Sequence, residues 1–106
     1  MHPFNQAHEV IKSHLIDPHP VPQFMAGKEY AYAYVDTANQ TYHVGKTKTP
    51  VLLYARFLLW RQDGDLSGLP AQMRKVIDRP SNPLFYLAVN HGGYVYPKLK
   101  GELSEI

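Results

Sequence analysis

Tyr30-Ala31-Tyr32-Ala33-Tyr34 puts an aromatic ring at every second position, a period that suits a strand and no helix. The polar turn Ala38-Asn39-Gln40 follows, and Thr41 to Val44 reads as the returning strand. Gly45 is expected to let the backbone leave the sheet. Thr49-Pro50 then supplies an N-cap with proline at the first helical position, so the hairpin leads straight into a helix. A chain that begins its core this way belongs to the α+β class, with helices packed on a small, mostly antiparallel sheet.

The flanking segments fill in that plan. Asn5 is placed to cap a first helix whose Ala7, Val10, Ile11, His14 and Leu15 share one face. Asp17 to Pro22 (DPHPVP) cannot continue it, because proline lacks the backbone donor and disfavours helix in the preceding residue. After the hairpin, Val51 to Trp60 is apolar nearly all round. Such a helix is either central to the fold or carries an exposed apolar surface for a partner. Asp63-Gly64-Asp65 ends it, and Leu69, Met73, Val76 and Ile77 mark a shorter helix stopping near Pro80. Leu84 to Asn90 reads as a strand, His91-Gly92-Gly93 as a turn, and Tyr94-Val95-Tyr96 as a fourth strand. The expected order is helix-strand-strand-helix-helix-strand-strand. It forms one domain over 1–106: helix 1–16, Pro-rich linker 17–27, core 28–96, and a polar tail 97–106 that is either frayed or a short helix.

Composition narrows the function classes. Eleven basic against nine acidic side chains is too small a bias to name a nucleic-acid partner, so any such surface must be local. The absence of cysteine excludes disulfides and thiolate metal sites. His8, His14 and His19 lack the spacing of a metal pair, and no metal is assigned to them. With no signal-peptide pattern and no run near the ~18 apolar residues of a membrane span, a cytoplasmic protein is expected. Gly45-Lys46-Thr47 is not a P-loop, since no glycine stands five residues earlier.

The Tyr-rich hairpin leading into Val44-Gly45-Lys46-Thr47 resembles the GIY-YIG nuclease domain, nearest in pattern to the N-terminal domain of the bacterial excision-repair nuclease subunit. Tyr30-Ala31-Tyr32 takes the place of the first motif and His43-Val44-Gly45 that of the second, with Asp36 before the turn and Lys46 after the glycine. The likeness spans Lys28 to about Asn90. It implies a DNA endonuclease site in which a helical arginine and a later glutamate, which holds Mg²⁺ or Mn²⁺, serve the cleaved phosphate.

Several positions depart from the pattern. Tyr30 replaces the first glycine, and His43 replaces the second tyrosine beside Tyr42. Arg56 lies about three residues, close to one helical turn, beyond the family's arginine. No Asp or Glu stands between Asp78 and Glu102, so the metal-binding glutamate is missing, and Glu102 is the nearest substitute. The resemblance therefore implies a degenerate domain that binds DNA without cutting it by the family's metal mechanism, and Mg²⁺ or Mn²⁺ would be needed only if cleavage were retained. Its remnant catalytic pocket comprises Tyr32 to orient water, His43 as general base and Arg56 to neutralise phosphate charge. Lys46, Lys48 and Arg61 are candidate phosphate contacts, and Asn90 is either the family's asparagine or turn chemistry.

A rival reading starts from the apolar helix. Leu53, Phe57 and Trp60, with the Tyr-rich hairpins, make candidate interface anchors for a protein partner. A phage or mobile-element inhibitor of a host nuclease or defence complex fits that reading, and so does a homodimer. The tyrosines also have an ordinary role open to them, half-buried in strands with their hydroxyls in water.

Overall fold

The computed structural model describes residues 3–17 and 27–106; positions 18–26 of the expected linker, with His19, and residues 1–2 lie outside the described residues. The chain is a small α+β domain. Its helices are α1 (Pro3–His14), α2 (Pro50–Asp63), α3 (Ala71–Val76) and α4 (Val95–Ser104), and its strands are β1 (Tyr30–Asp36), β2 (Thr41–Thr47) and β3 (Pro83–Val89). The sheet is wholly antiparallel, in the order β2-β1-β3.

The alternation in β1 decides how the layers form. Tyr30, Tyr32 and Tyr34 point to one face, where Tyr30 and Tyr34 pack with Leu53, Phe57 and Trp60 of α2, Met73 of α3, and Phe85 and Leu87 of β3. Ala31, Ala33 and Val35 point to the other, under Phe4, Ala7 and Ile11 of α1 and Leu99 and Leu103 of α4. The sheet is thus covered on both sides. Tyr34 is the pivot of the aromatic face. Its ring meets Trp60 edge-on at 6.3 Å and Phe85 at 5.6 Å, and its hydroxyl donates to the Leu53 carbonyl at 3.1 Å.

At the hairpin turn Asp36 is fully buried and its carboxylate accepts four bonds. They come from the backbone N–H groups of Ala38, Asn39 and Asn82 and from the Asn39 amide. Asn39 extends this network to the Arg79 carbonyl and the Asp78 N–H, tying the hairpin to the segment before β3.

Four expectations are corrected. The first helix begins at Pro3, so Asn5 is an exposed residue inside it rather than its cap. Gly45 does not turn the chain away, because β2 continues to Thr47 with Gly45 opposite Tyr32. Its role is spatial: a Cβ there would stand 2.7 Å from the Tyr32 hydroxyl oxygen and 2.8 Å from two ring carbons. Tyr94 to Tyr96 do not form the fourth strand, since Val95 to Ser104 form α4, which is the short-helix alternative for the tail. Gly92 and Gly93 take positive φ angles of 60° and 76°, which reverse the chain after β3. The Asn90 side-chain Oδ1 then accepts the Tyr96 N–H at 3.0 Å, and Leu99 and Leu103 bury one stripe, so capping and burial outweigh the strand propensity of Tyr-Val-Tyr. Finally, Leu53, Phe57 and Trp60 are 9%, 5% and 2% exposed, so these interface candidates form the core under the sheet instead of a free surface.

Gly45→Ala is expected to cost about 1 kcal/mol, because the added methyl drives the Tyr32 ring outward while improving strand propensity. In a Tyr32→Ala background the same substitution should cost little, because the ring it displaces is gone. Urea titration of the two single variants and the double variant measures the coupling.

Candidate nucleic-acid interface

The two strands of the hairpin bring Tyr32 and His43 together. Both side chains lie on the aromatic face, and the Tyr32 hydroxyl and His43 Nε2 are 3.3 Å apart. Arg56 approaches from the exposed side of α2 and is close enough for its charge to favour the ionised form of Tyr32. Gly68 fixes the guanidinium's stem: a Cβ at that position would meet Arg56 Cγ at 2.8 Å. Two of the expected trio, Tyr32 and His43, are therefore in contact on the aromatic face, and Arg56 lies within electrostatic range on α2.

Two residues from α4 join it that the sequence reading passed over. The Lys100 ammonium donates to the Tyr96 hydroxyl at 3.2 Å and sits 5.6 Å from that ring's centroid, while Lys46 on β2 sits 5.9 Å from the same centroid. Tyr96 and Lys100 are four apart, the spacing of one helical face. That signal was hidden because Tyr94 to Tyr96 read as a strand.

Electrostatics favour an anion here. Burial, and then the nearby Lys100, hold His43 below the usual imidazole range, so it is neutral at pH 7. Burial, and then the Tyr96 hydroxyl, push Tyr32 up, with Arg56 opposing. Among the described residues, no ion pair involves Lys46, Lys48, Arg56 or Lys100. Asp65 shares a hollow of about 350 Å³ with Arg56, yet its carboxylate accepts the Ser67 N–H and does not pair with the arginine. Glu102, the substitute metal ligand, is hydrogen-bonded to His14 where α4 meets α1. No group of three His, Asp or Glu side chains able to hold a metal occurs among the described residues. What the cluster offers is hydrogen bonding and positive charge.

The remaining candidates are not brought to it. Lys48 is exposed in the bend between β2 and α2. Arg61, about 140° around α2 from Arg56 by helical periodicity, lines a separate cleft of about 400 Å³ with Asp17, Tyr54 and Asn82 on the β3 side. Asn90 is 6% exposed; its amide donates to Glu29 at 2.7 Å and its carbonyl oxygen caps α4. Its side chain serves the turn and does not reach out to a phosphate. No helix among the described residues is long and apolar enough to cross a membrane.

The depressed histidine carries a consequence for stability. His8, which pairs with the Tyr86 hydroxyl at 2.9 Å, is also held low, by burial and then Lys12. A histidine whose folded pKa lies below its unfolded value binds fewer protons folded than unfolded as pH falls through about 6.5. Stability should therefore be highest above pH 7 and fall as pH drops through about 6.5 toward the lowered folded-state values. His43→Gln and His8→Gln should each flatten that fall, as measured by urea midpoints across the range.

No protein-family model, curated protein or solved structure matches the chain.

Proposed function

We propose that this chain is a GIY-YIG-like nucleic-acid-binding domain that holds DNA without cutting it by that family's metal mechanism. The observation that carries the reading is the cluster of Tyr32, His43 and Arg56 with Lys46 beside it, cationic and, among the described residues, without a carboxylate paired to Arg56 or Lys46. Phosphate is the biological anion that such a cluster suits, because arginine and lysine neutralise its charge while tyrosine and neutral histidine supply directed hydrogen bonds. The residues that α4 brings beside Lys46 of the hairpin are Tyr96 and Lys100, an aromatic ring and a second cation, which add to the same reading.

Binding of a fluorescein-labelled 20-base-pair duplex, followed by anisotropy, tests this. The expected result is binding that survives EDTA, with no strand breaks in Mg²⁺ or Mn²⁺. Arg56→Ala should weaken it and lower the slope of log K against log salt by about 0.9, one phosphate contact. Metal-dependent cleavage lost in His43→Ala would overturn the non-cleaving reading, and absence of binding would overturn the nucleic-acid reading altogether.

A second reading rests on the outer face of α2, where Val51, Leu52 and Leu59 are 62%, 49% and 46% exposed. An interaction module, docking a protein partner or a second copy, would use these residues in place of the buried Leu53, Phe57 and Trp60. Light scattering behind a sizing column decides the homodimer case: a dimer that Leu52→Glu converts to monomer supports it, and a wild-type monomer excludes it.

A further inference from the structure

The two ends of the sheet differ in a way that bears on how a strand would lie. On the β3 side, Ile16 bridges Leu87 through two backbone hydrogen bonds, of 2.9 and 3.1 Å, so that edge is partly covered. On the β2 side no strand is paired among the described residues, and the outer backbone groups of β2 face outward. Positive charge gathers from both faces around this open edge. Arg56 comes from α2 on the aromatic face, Lys46 from β2 on the opposite face, and Lys100 from α4 on that same opposite face.

Contacts tie Lys46, Tyr96 and Lys100 together on one face and Tyr32 with His43 on the other, and the two groups lie within electrostatic range of each other. Tyr96 connects them: Lys46 and Lys100 flank its ring, while its hydroxyl lies near enough to Tyr32 to act on that group's ionisation. Lys100 in turn acts on His43 across the edge strand. Two acids lie nearby with partners of their own, Asp65 accepting the Ser67 N–H in the hollow it shares with Arg56 and Glu29 accepting the Asn90 amide, while those of α4 are set apart. Glu102 and Glu105, at the C-terminal end of α4, line a hollow with Gln6, Glu9 and Val10 of α1, on the side away from β2. The cationic groups are also exposed, whereas Tyr96 is half-buried and so held in place by the fold.

We propose that Tyr96, Lys100 and Lys46 form a second phosphate-contact site, continuous with Tyr32, His43 and Arg56, so that a nucleic-acid strand wraps the open β2 edge and is contacted from both faces of the sheet. This inference rests on the nucleic-acid reading above and adds to it a path and two residues, Tyr96 and Lys100. The ligand is a phosphodiester backbone in which neighbouring phosphates are held by different faces. A single isolated phosphate would engage only one of the two groups of cations.

The test compares salt dependence for Lys100→Gln, Lys46→Gln, Arg56→Gln and the double variant Lys100→Gln/Arg56→Gln, using the labelled duplex and its isolated 20-mer strand. Lys98→Gln is the control, since Lys98 is exposed on α4 roughly 160° around the helix from Lys100. Circular dichroism confirms that each variant is folded. The expected result is a roughly three- to tenfold loss of affinity for each of the three single variants, with a slope reduced by about 0.9 on duplex or 0.7 on single strand. The double variant should lose both increments, and Lys98→Gln should be close to wild type. If Arg56→Gln weakens binding while Lys100→Gln does not, the path over α4 is wrong and the nucleic-acid reading stands. Equal losses for Lys98→Gln and Lys100→Gln would mean diffuse attraction and would also sink the proposal. Failure of the wild type to bind either probe removes both readings.

Discussion

The central position of β1 is the constraint on which the rest of the domain depends. Among the described residues it is the one strand flanked by a strand on each side, and both of its faces are covered, so each of its side chains must suit a particular layer. The alternation of tyrosine with alanine meets that demand. Large rings on one face fill the space beneath α2 and α3, where Tyr34, Phe57, Trp60 and Phe85 form a connected aromatic group. Small residues on the other face let Phe4, Ile11 and Leu99 pack close to the backbone. A slip of one residue in register would exchange the two sets and leave both layers wrongly filled.

Polar groups complete what the alternation begins. A carboxylate buried like Asp36 is costly unless each oxygen is satisfied, and here it accepts bonds from both the hairpin turn and the segment entering β3. Asn90 performs a similar task at the opposite end of β3, joining Glu29 before β1 to the first turn of α4. The sheet's two ends are thus pinned by side chains whose partners are far apart in sequence. No periodicity in the chain announces such partners.

This separates what could be read from the sequence from what could not. The hairpin, the helix opening at Thr49-Pro50, its stop at Gly64 and the strand after Leu84 were legible because each is set by residues within a few positions of one another. The identity of α4 was not, because Tyr94-Val95-Tyr96 has strand propensity and the capping oxygen comes from Asn90, six residues before the N–H it accepts. The all-round apolar character of α2 was visible, but not which side of it met the sheet. Leu53, Phe57 and Trp60 were therefore assigned to a surface, while the residues left outside are Val51, Leu52 and Leu59. In the candidate site, Tyr32 and His43 were grouped through the family resemblance, and the register that sets Tyr32 opposite Gly45 and His43 opposite Tyr34 brings them into contact. Tyr96 and Lys100 were hidden with the helix that carries them.

Two glycines show how the candidate site is built into this frame without being part of its core. Gly45 leaves room for the Tyr32 ring, and Gly68 leaves room for the Arg56 stem. Neither takes the positive φ that would explain glycine by backbone geometry. In both places the missing side chain is what lets a neighbouring one lie where it does. Strand propensity alone disfavours glycine inside β2, so its presence opposite Tyr32 trades local preference for the position of that ring. The same ring then lies beside His43 within the face while Tyr96 of the other layer acts on its ionisation, so the gap at Gly45 serves a position that both layers influence.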